Sequence, residues 1–159
     1  MFNEALLRSR RSASFTIIEL MTIMVIMALV MSLVVMSVID WSRVTAMRGS
    51  VAAVETGLQA ARQQAIVTRS PVSFTGSDSH RIPGWFLLAD GEGQIGMSNN
   101  LNRGIAFHQT SATQATFTAS GAVSEGTLMF ILAEPHRGER ALTATIEVYG
   151  ITGHIEIVP

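Results

Sequence analysis

No cysteine occurs among the 159 residues, so disulfides, thiolate metal sites and a cysteine nucleophile are excluded. Lysine is absent as well: all 11 basic residues are arginine, a bias for which the chain offers no physical reason. Proline is scarce, and the first is Pro71, so nothing before it forces a helix to break or kink. Charge is sparse at 14% and nearly balanced at -1, which removes any general electrostatic pull toward nucleic acid.

Charge is thinnest between Arg11 and Asp40. From Phe15 to Ile39 the sequence is apolar and carries one ionisable group, Glu19. About 20 apolar residues suffice to cross a bilayer. A carboxylate in such a span is expensive to insert without a partner, so Glu19 reads first as a functional group. Arg8, Arg10 and Arg11 stand just ahead of the span, and the positive-inside rule then places the N-terminus in the cytoplasm and the remainder across the membrane. An ordinary secretory signal fits less well. Its apolar core is usually ~7–15 residues, and no A-x-A-like site appears where Met36-Ser37-Val38-Ile39 meets Asp40-Trp41. A plain signal anchor accounts for the span and leaves Glu19 unexplained.

Beyond Ile39 no breaker interrupts the pattern. Val44, Met47, Val51, Val54, Leu58, Ala61 and Ala65 recur at steps of three and four, the spacing of one helical face. Arg48, Glu55, Gln59, Arg62 and Gln63 fall off that face. Gly49 and Gly57 weaken a helix by about 1 kcal/mol each relative to alanine. Ser70-Pro71 ends it, because the residue before proline is steered out of the helical region. The expectation is one helix from about Phe15 to about Thr68, its first half in lipid and its second half, 40–69, packed on a domain.

From Pro71 onward the sequence reads as strands. Val72-Ser73-Phe74, Trp85-Phe86-Leu87-Leu88 and Leu128-Met129-Phe130-Ile131-Leu132 are separated by glycine-rich turns such as Gly76-Ser77-Asp78-Ser79 and Asp90-Gly91-Glu92-Gly93. Ile105-Ala106-Phe107 and Thr116-Phe117-Thr118 are weaker candidates. Leu142, Ala144, Ile146 and Val148 alternate with polar residues, and Gly150-Ile151-Thr152-Gly153 turns into His154-Ile155-Glu156-Ile157-Val158, a hairpin. One helix and one antiparallel sheet over 71–159 make an α+β domain of two layers.

Groups that carry chemistry are scattered. His80, His108, His136 and His154 have no metal-ligand spacing. Asp90-Gly91-Glu92-Gly93 offers two carboxylates without the further oxygens a hard cation requires, and reads as an acidic turn. Pro135-His136-Arg137-Gly138-Glu139-Arg140 reads as a solvated loop. No phosphate loop, nucleophile elbow or zinc helix is present. The expectation is a protein without catalytic residues, metal or cofactor.

Ser14-Phe15-Thr16-Ile17-Ile18-Glu19-Leu20 resembles the leader junction of type IV pilins and type II secretion pseudopilins, whose usual form is G-F-T-L-I-E-L. Ala60-Ala61-Arg62-Gln63-Gln64-Ala65-Ile66, Val72, Trp85 and the terminal strand pair extend the likeness to the GspH/FimT branch of minor pseudopilins and minor pilins. The resemblance implies a type IV pilin-like fold with a leader over 1–14, a filament-core helix over 15–39 and a periplasmic domain over 40–159. It implies that a prepilin peptidase and N-methyltransferase of the inner membrane cuts between Ser14 and Phe15 and methylates the Phe15 amine. It also implies that Glu19 pairs with the N-terminal amine of a neighbouring pseudopilin or pilin during assembly. Buried pairing of that kind is what a carboxylate in an apolar span needs.

The chain departs from the family pattern in three places. Ser14 replaces the glycine before the cut, Met36 stands near the usual place of a late proline, and the C-terminal Gly-Arg-x-Arg of DNA-binding members reads Gly153-His154-Ile155-Glu156. The last change removes two cations and adds an anion, which argues against nucleic acid as a partner. The implied function is a non-catalytic minor pseudopilin of a type II secretion system. The alternatives are a FimT-like minor pilin of a type IV pilus and, outside that class, an independent signal-anchored periplasmic binding domain.

Overall fold

A computed structural model of the chain describes residues 16–78, 82–135 and 141–158, with the side chain of Met36 outside the description. It contains α1 (Ile17–Thr68), β1 (Val72–Gly76), β2 (Trp85–Asp90), β3 (Gly93–Asn100), β4 (Ala106–Phe107), β5 (Gln114–Phe117), β6 (Leu128–Ala133), β7 (Thr143–Val148) and β8 (Ile155–Val158). The chain divides into two compact units, Met1–Asp40 and Trp41–Pro159.

In the first unit every described side chain from Ile17 to Asp40 is exposed. The backbone there is satisfied by the helix itself, and its hydroxyls bond back to the preceding turn: Thr22 Oγ1 donates to Ile18 O at 2.8 Å and Ser32 Oγ to Leu29 O at 2.7 Å. Between Ile17 and Ile39 Glu19 is the one charged side chain.

In the second unit α1 lays Met47, Val51, Val54, Leu58, Ala61 and Ala65 into the core. The buried stripe starts one turn later than the periodicity implies, since Val44 is 37% exposed. Periodicity assigns a residue to a face; where the covering layer stops is a tertiary matter. Gly57 belongs to the same face. A Cβ there would lie 2.4 Å from Phe86 Cε2 and 3.2 Å from Phe74 Cε2, so the glycine lets the aromatic rings of β1 and β2 press against the helix. The helix ends at Arg69, which takes the left-handed conformation (φ 54°) of a C-terminal cap, ahead of Pro71.

The α+β expectation holds, with the strands divided between two antiparallel four-stranded sheets, β3-β2-β1-β5 and β4-β6-β7-β8. One sheet was expected because hairpins are readable locally, whereas β1 with β5 and β4 with β6 pair residues far apart in the chain. The two sheets share one core. Phe74 of β1 stacks on Phe86 of β2 at 5.0 Å and meets Phe130 of β6 edge-on at 5.3 Å, and Phe107 of β4 meets Phe130 at 6.3 Å. Strand β3 is absent from the sequence expectation: it is an edge strand whose side chains are almost all exposed, so it lacks an apolar alternation. The β7–β8 hairpin forms with Val148 opposite Ile155 and Ile146 opposite Ile157.

Candidate functional site

Glu19 sits in the first turn of α1. Thr16 precedes the helix and caps it: its Oγ1 accepts the Glu19 N–H at 3.3 Å, and its carbonyl accepts the Leu20 N–H at 3.1 Å. A Thr-x-x-Glu spacing is that of a capping box, and a carboxylate at a helix N-terminus is favoured by the helix dipole. The start of α1 therefore accommodates the charge of Glu19 while its side chain stays exposed. Ser14 and Phe15, the residues of the expected cleavage and methylation, lie outside the described residues.

Beyond Glu19 the surface of α1 is almost wholly apolar: Met21, Met24, Val25 and most of the residues that follow them to Ile39 are largely accessible. Removing such a side chain from water is worth about 1.5–3 kcal/mol each. A surface of this extent has to be covered by lipid or by other apolar helices. Among the described residues α1 is the one helix long and apolar enough to cross a membrane.

The polar features of the second unit are structural. Asp90 Oδ1 accepts the N–H groups of Glu92 and Gly93 at 2.9 and 3.0 Å, which makes the acidic turn a local Asx-type loop. His108 Nδ1 lies 2.9 Å from Thr110 Oγ1 within its own loop. His80 and His136 to Arg140 lie outside the described residues. Burial raises the Glu125 carboxyl, but hydrogen bonds from the Thr116 side chain and backbone and from Ser124 outweigh it and hold its pKa below the ordinary value. Among the described residues no three His, Asp or Glu side chains come together as a metal site.

Two arginines placed merely off the helical stripe, or left unremarked, turn out to join elements. Arg62 Nε donates to Gly121 O at 3.3 Å and its Nη2 to Thr152 O at 2.9 Å, tying α1 to two loops. Arg43 holds Glu134 at the end of β6. Neither partner could be found from sequence, because each contact spans more than 50 residues. At the place of the absent Gly-Arg-x-Arg pattern, His154 stacks on Tyr149 at 6.0 Å, and Tyr149 Oη donates to Glu156 Oε2 at 3.2 Å. The hydrogen bond to Glu156, reinforced by Glu147, raises the Tyr149 pKa above its ordinary 10.0. Arg62 lines the same groove as Tyr149, His154 and Glu156.

A family model described as Type II transport protein GspH matches residues 50–150. Two crystal structures of the type IV minor pilin FimU from Pseudomonas aeruginosa share the fold. One has 15% identity and a TM-score of 0.54, covering 70% of this chain and 92% of that one; the other has 16% identity and a TM-score of 0.55, covering 70% and 87%. No curated protein matches the chain.

Proposed function

We propose that this chain, which belongs to the GspH family of type II transport proteins, is a minor pseudopilin: a non-catalytic, membrane-anchored subunit of the filament of a type II secretion system. Its family and fold are those of structural pilin-like subunits. The single observation that carries the filament reading is the apolar, wholly exposed first unit of α1 with Glu19 in its first turn. A lipid anchor needs no carboxylate there beyond its favourable place at the helix N-terminus.

In this reading residues 1–14 are a leader removed between Ser14 and Phe15 by an inner-membrane peptidase, which also methylates the new amine. Glu19 of one subunit then neutralises the Phe15 amine of its neighbour, and the spans over 15–39 pack as the filament core. Residues 40–159 lie in the periplasm. Cutting removes Glu4, Arg8, Arg10 and Arg11, which takes the side-chain charge from -1 to -3.

The second reading is a minor pilin of a type IV pilus, and the observation favouring it is the shared fold with FimU. The deciding experiment has two parts. Mass spectrometry of the membrane-extracted protein should find an N-methylated Phe15 terminus; an intact leader on that protein in cells with an active prepilin peptidase would return the chain to the signal-anchor class. Deletion of the gene should then abolish either protein secretion or piliation, and the function lost names the machine.

A further inference from the structure

Two exposed arginines stand at one end of the second unit. Arg48 is on α1, and Arg103 is in the loop between β3 and β4. Among the described residues neither makes an ion pair or a side-chain hydrogen bond. The loop of Arg103 is built onto the helix. Asn102 N–H donates to Ser50 Oγ at 3.0 Å, and Asn102 Nδ2 donates to Ala46 O at 2.8 Å. A Cβ at Gly49 would lie 2.8 Å from that Nδ2, so the glycine admits the loop. Leu101 N–H donates to Gly84 O at 2.7 Å and Ile105 N–H to Asn102 O at 3.0 Å, and Leu101 and Ile105 are both buried. The backbone is therefore fixed on both sides of Arg103.

Ala46 and Ser50 are each two residues from Arg48, about 200° around α1. The loop of Arg103 and the side chain of Arg48 thus flank the helix at one height. Trp41, 71% exposed, lies two turns before Arg48 on the same side, about 10 Å along the axis. In sequence it comes just after the apolar run, which ends at Ile39. Carboxylates are sorted away from this end. Asp90 and Glu92 are at the opposite end of the β2–β3 hairpin. Glu156 shares a groove with Arg62, and Glu147 faces Glu156 across the strand pair. Glu125 is bonded by the Thr116 N–H, and Glu55, two turns beyond Arg48, by Gln59. Nearer the arginines, Glu134 is held by Arg43, Asp40 precedes Trp41 in sequence, and Asp78 makes no ion pair among the described residues.

We propose that this end of the second unit docks on an anionic phospholipid surface before assembly, with Trp41 in the headgroup layer and Arg48 and Arg103 on lipid phosphates. Tryptophan favours that layer because its ring is apolar and its N–H is polar. The layer is about 5–7 Å deep, and the field of its charges reaches ~8 Å further at physiological salt. Arg48 comes within that reach, the more so because a helical side chain leans back toward the N-terminus. A loop already fixed loses little freedom on docking. The carboxylates at the far ends are repelled by the same surface, which orients the unit. The inference rests on the membrane anchor of the proposed function.

The test uses the full-length chain in phosphatidylcholine vesicles with and without phosphatidylglycerol. Asn100→Cys, exposed at the foot of the Arg103 loop, supplies the single thiol for a fluorophore. Nitroxide-labelled headgroups should quench that fluorophore in the anionic vesicles, and far less in neutral ones or in high salt. The ratio of docked to undocked protein should fall about fivefold for Arg48→Gln or Arg103→Gln and about 25-fold for both. Lysine at both positions should keep the quenching, since charge is what the surface reads. Equal quenching in the two kinds of vesicle, unchanged quenching in the double glutamine variant, or its loss in the double lysine variant with an unaltered circular dichroism spectrum would each overturn the contact. Flotation after carbonate extraction separates the two readings. A chain that floats without lipid-dependent quenching loses only this contact; one that does not float loses the anchor as well.

Discussion

Arg43 and Glu134 form a two-pronged ion pair, Nε to Oε1 at 3.1 Å and Nη2 to Oε2 at 2.5 Å, between α1 and the end of β6. Glu134 Oε2 also accepts the Leu142 N–H at 3.3 Å, just before β7 begins. One carboxylate thus fastens the helix to the connection between two strands. Removing one member of a buried pair typically costs about 3–5 kcal/mol. The Arg43 side chain is 20% exposed, so solvent screens part of that. Arg43→Ala is expected to destabilise the domain by about 1–3 kcal/mol in urea unfolding. Arg43→Lys should fall between, since lysine keeps the charge without the planar fork. Wild-type stability for Arg43→Ala would show the pair to be incidental.

The unit beginning at Trp41 is expected to fold as a separate fragment with mixed helix and strand signal in circular dichroism. Within it Leu58 is completely buried, and Leu58→Ala should cost about 2–5 kcal/mol. Gly57→Val tests the opposite fault. The added side chain meets the Phe86 ring and should cost about 1–3 kcal/mol through overpacking, although valine is the better helix former. A gain in stability at position 57 would mean that helix propensity, not the approach of the aromatic rings, governs the site.

Tyr149 is the chain's one tyrosine, so its phenolate absorbance titrates without overlap from another phenol. The midpoint should lie above the ordinary 10.0, chiefly because Glu156 accepts its hydroxyl proton in a hydrogen bond. A raised folded-state pKa means that the contact contributes stability below the unfolded value and loses it as pH rises through the folded one. Glu156→Gln should bring the midpoint back toward 10.0. An ordinary midpoint in the unaltered protein would show that the hydroxyl and carboxylate do not pair in solution.

Glu19→Val removes a charge whose insertion penalty is at most the about 2.5–3.5 kcal/mol of a span's centre and smaller in the first turn, so the variant should reach the membrane at least as well as the parent. In the filament reading it also strips the neighbour's Phe15 amine of its partner, and loss of one member of a buried pair is worth about 3–5 kcal/mol. Secretion or piliation should therefore fail at normal membrane abundance. Normal assembly of Glu19→Val would be the outcome that detaches Glu19 from assembly.

Much of the architecture was legible without coordinates because it is written in local patterns. The proline-free run to Ser70 and the three-and-four spacing of Met47 to Ala65 specify one long helix, realised as Ile17–Thr68. The alternation from Leu142 to Val148 and the Gly150–Gly153 turn specify the last hairpin. The lone Glu19 in an apolar span marked the assembly residue now proposed. Tertiary structure decided what depends on residues distant in the chain. Ala115 opposite Phe74 joins β5 to the sheet of β1. Phe86 explains a glycine that looked like a flaw at position 57. The partners of Arg43 and Arg62 could not be read from sequence, because an ion pair and a loop clamp between distant residues have no period. Periodicity reports which face of an element is apolar; only the packed chain sets which residues meet across it.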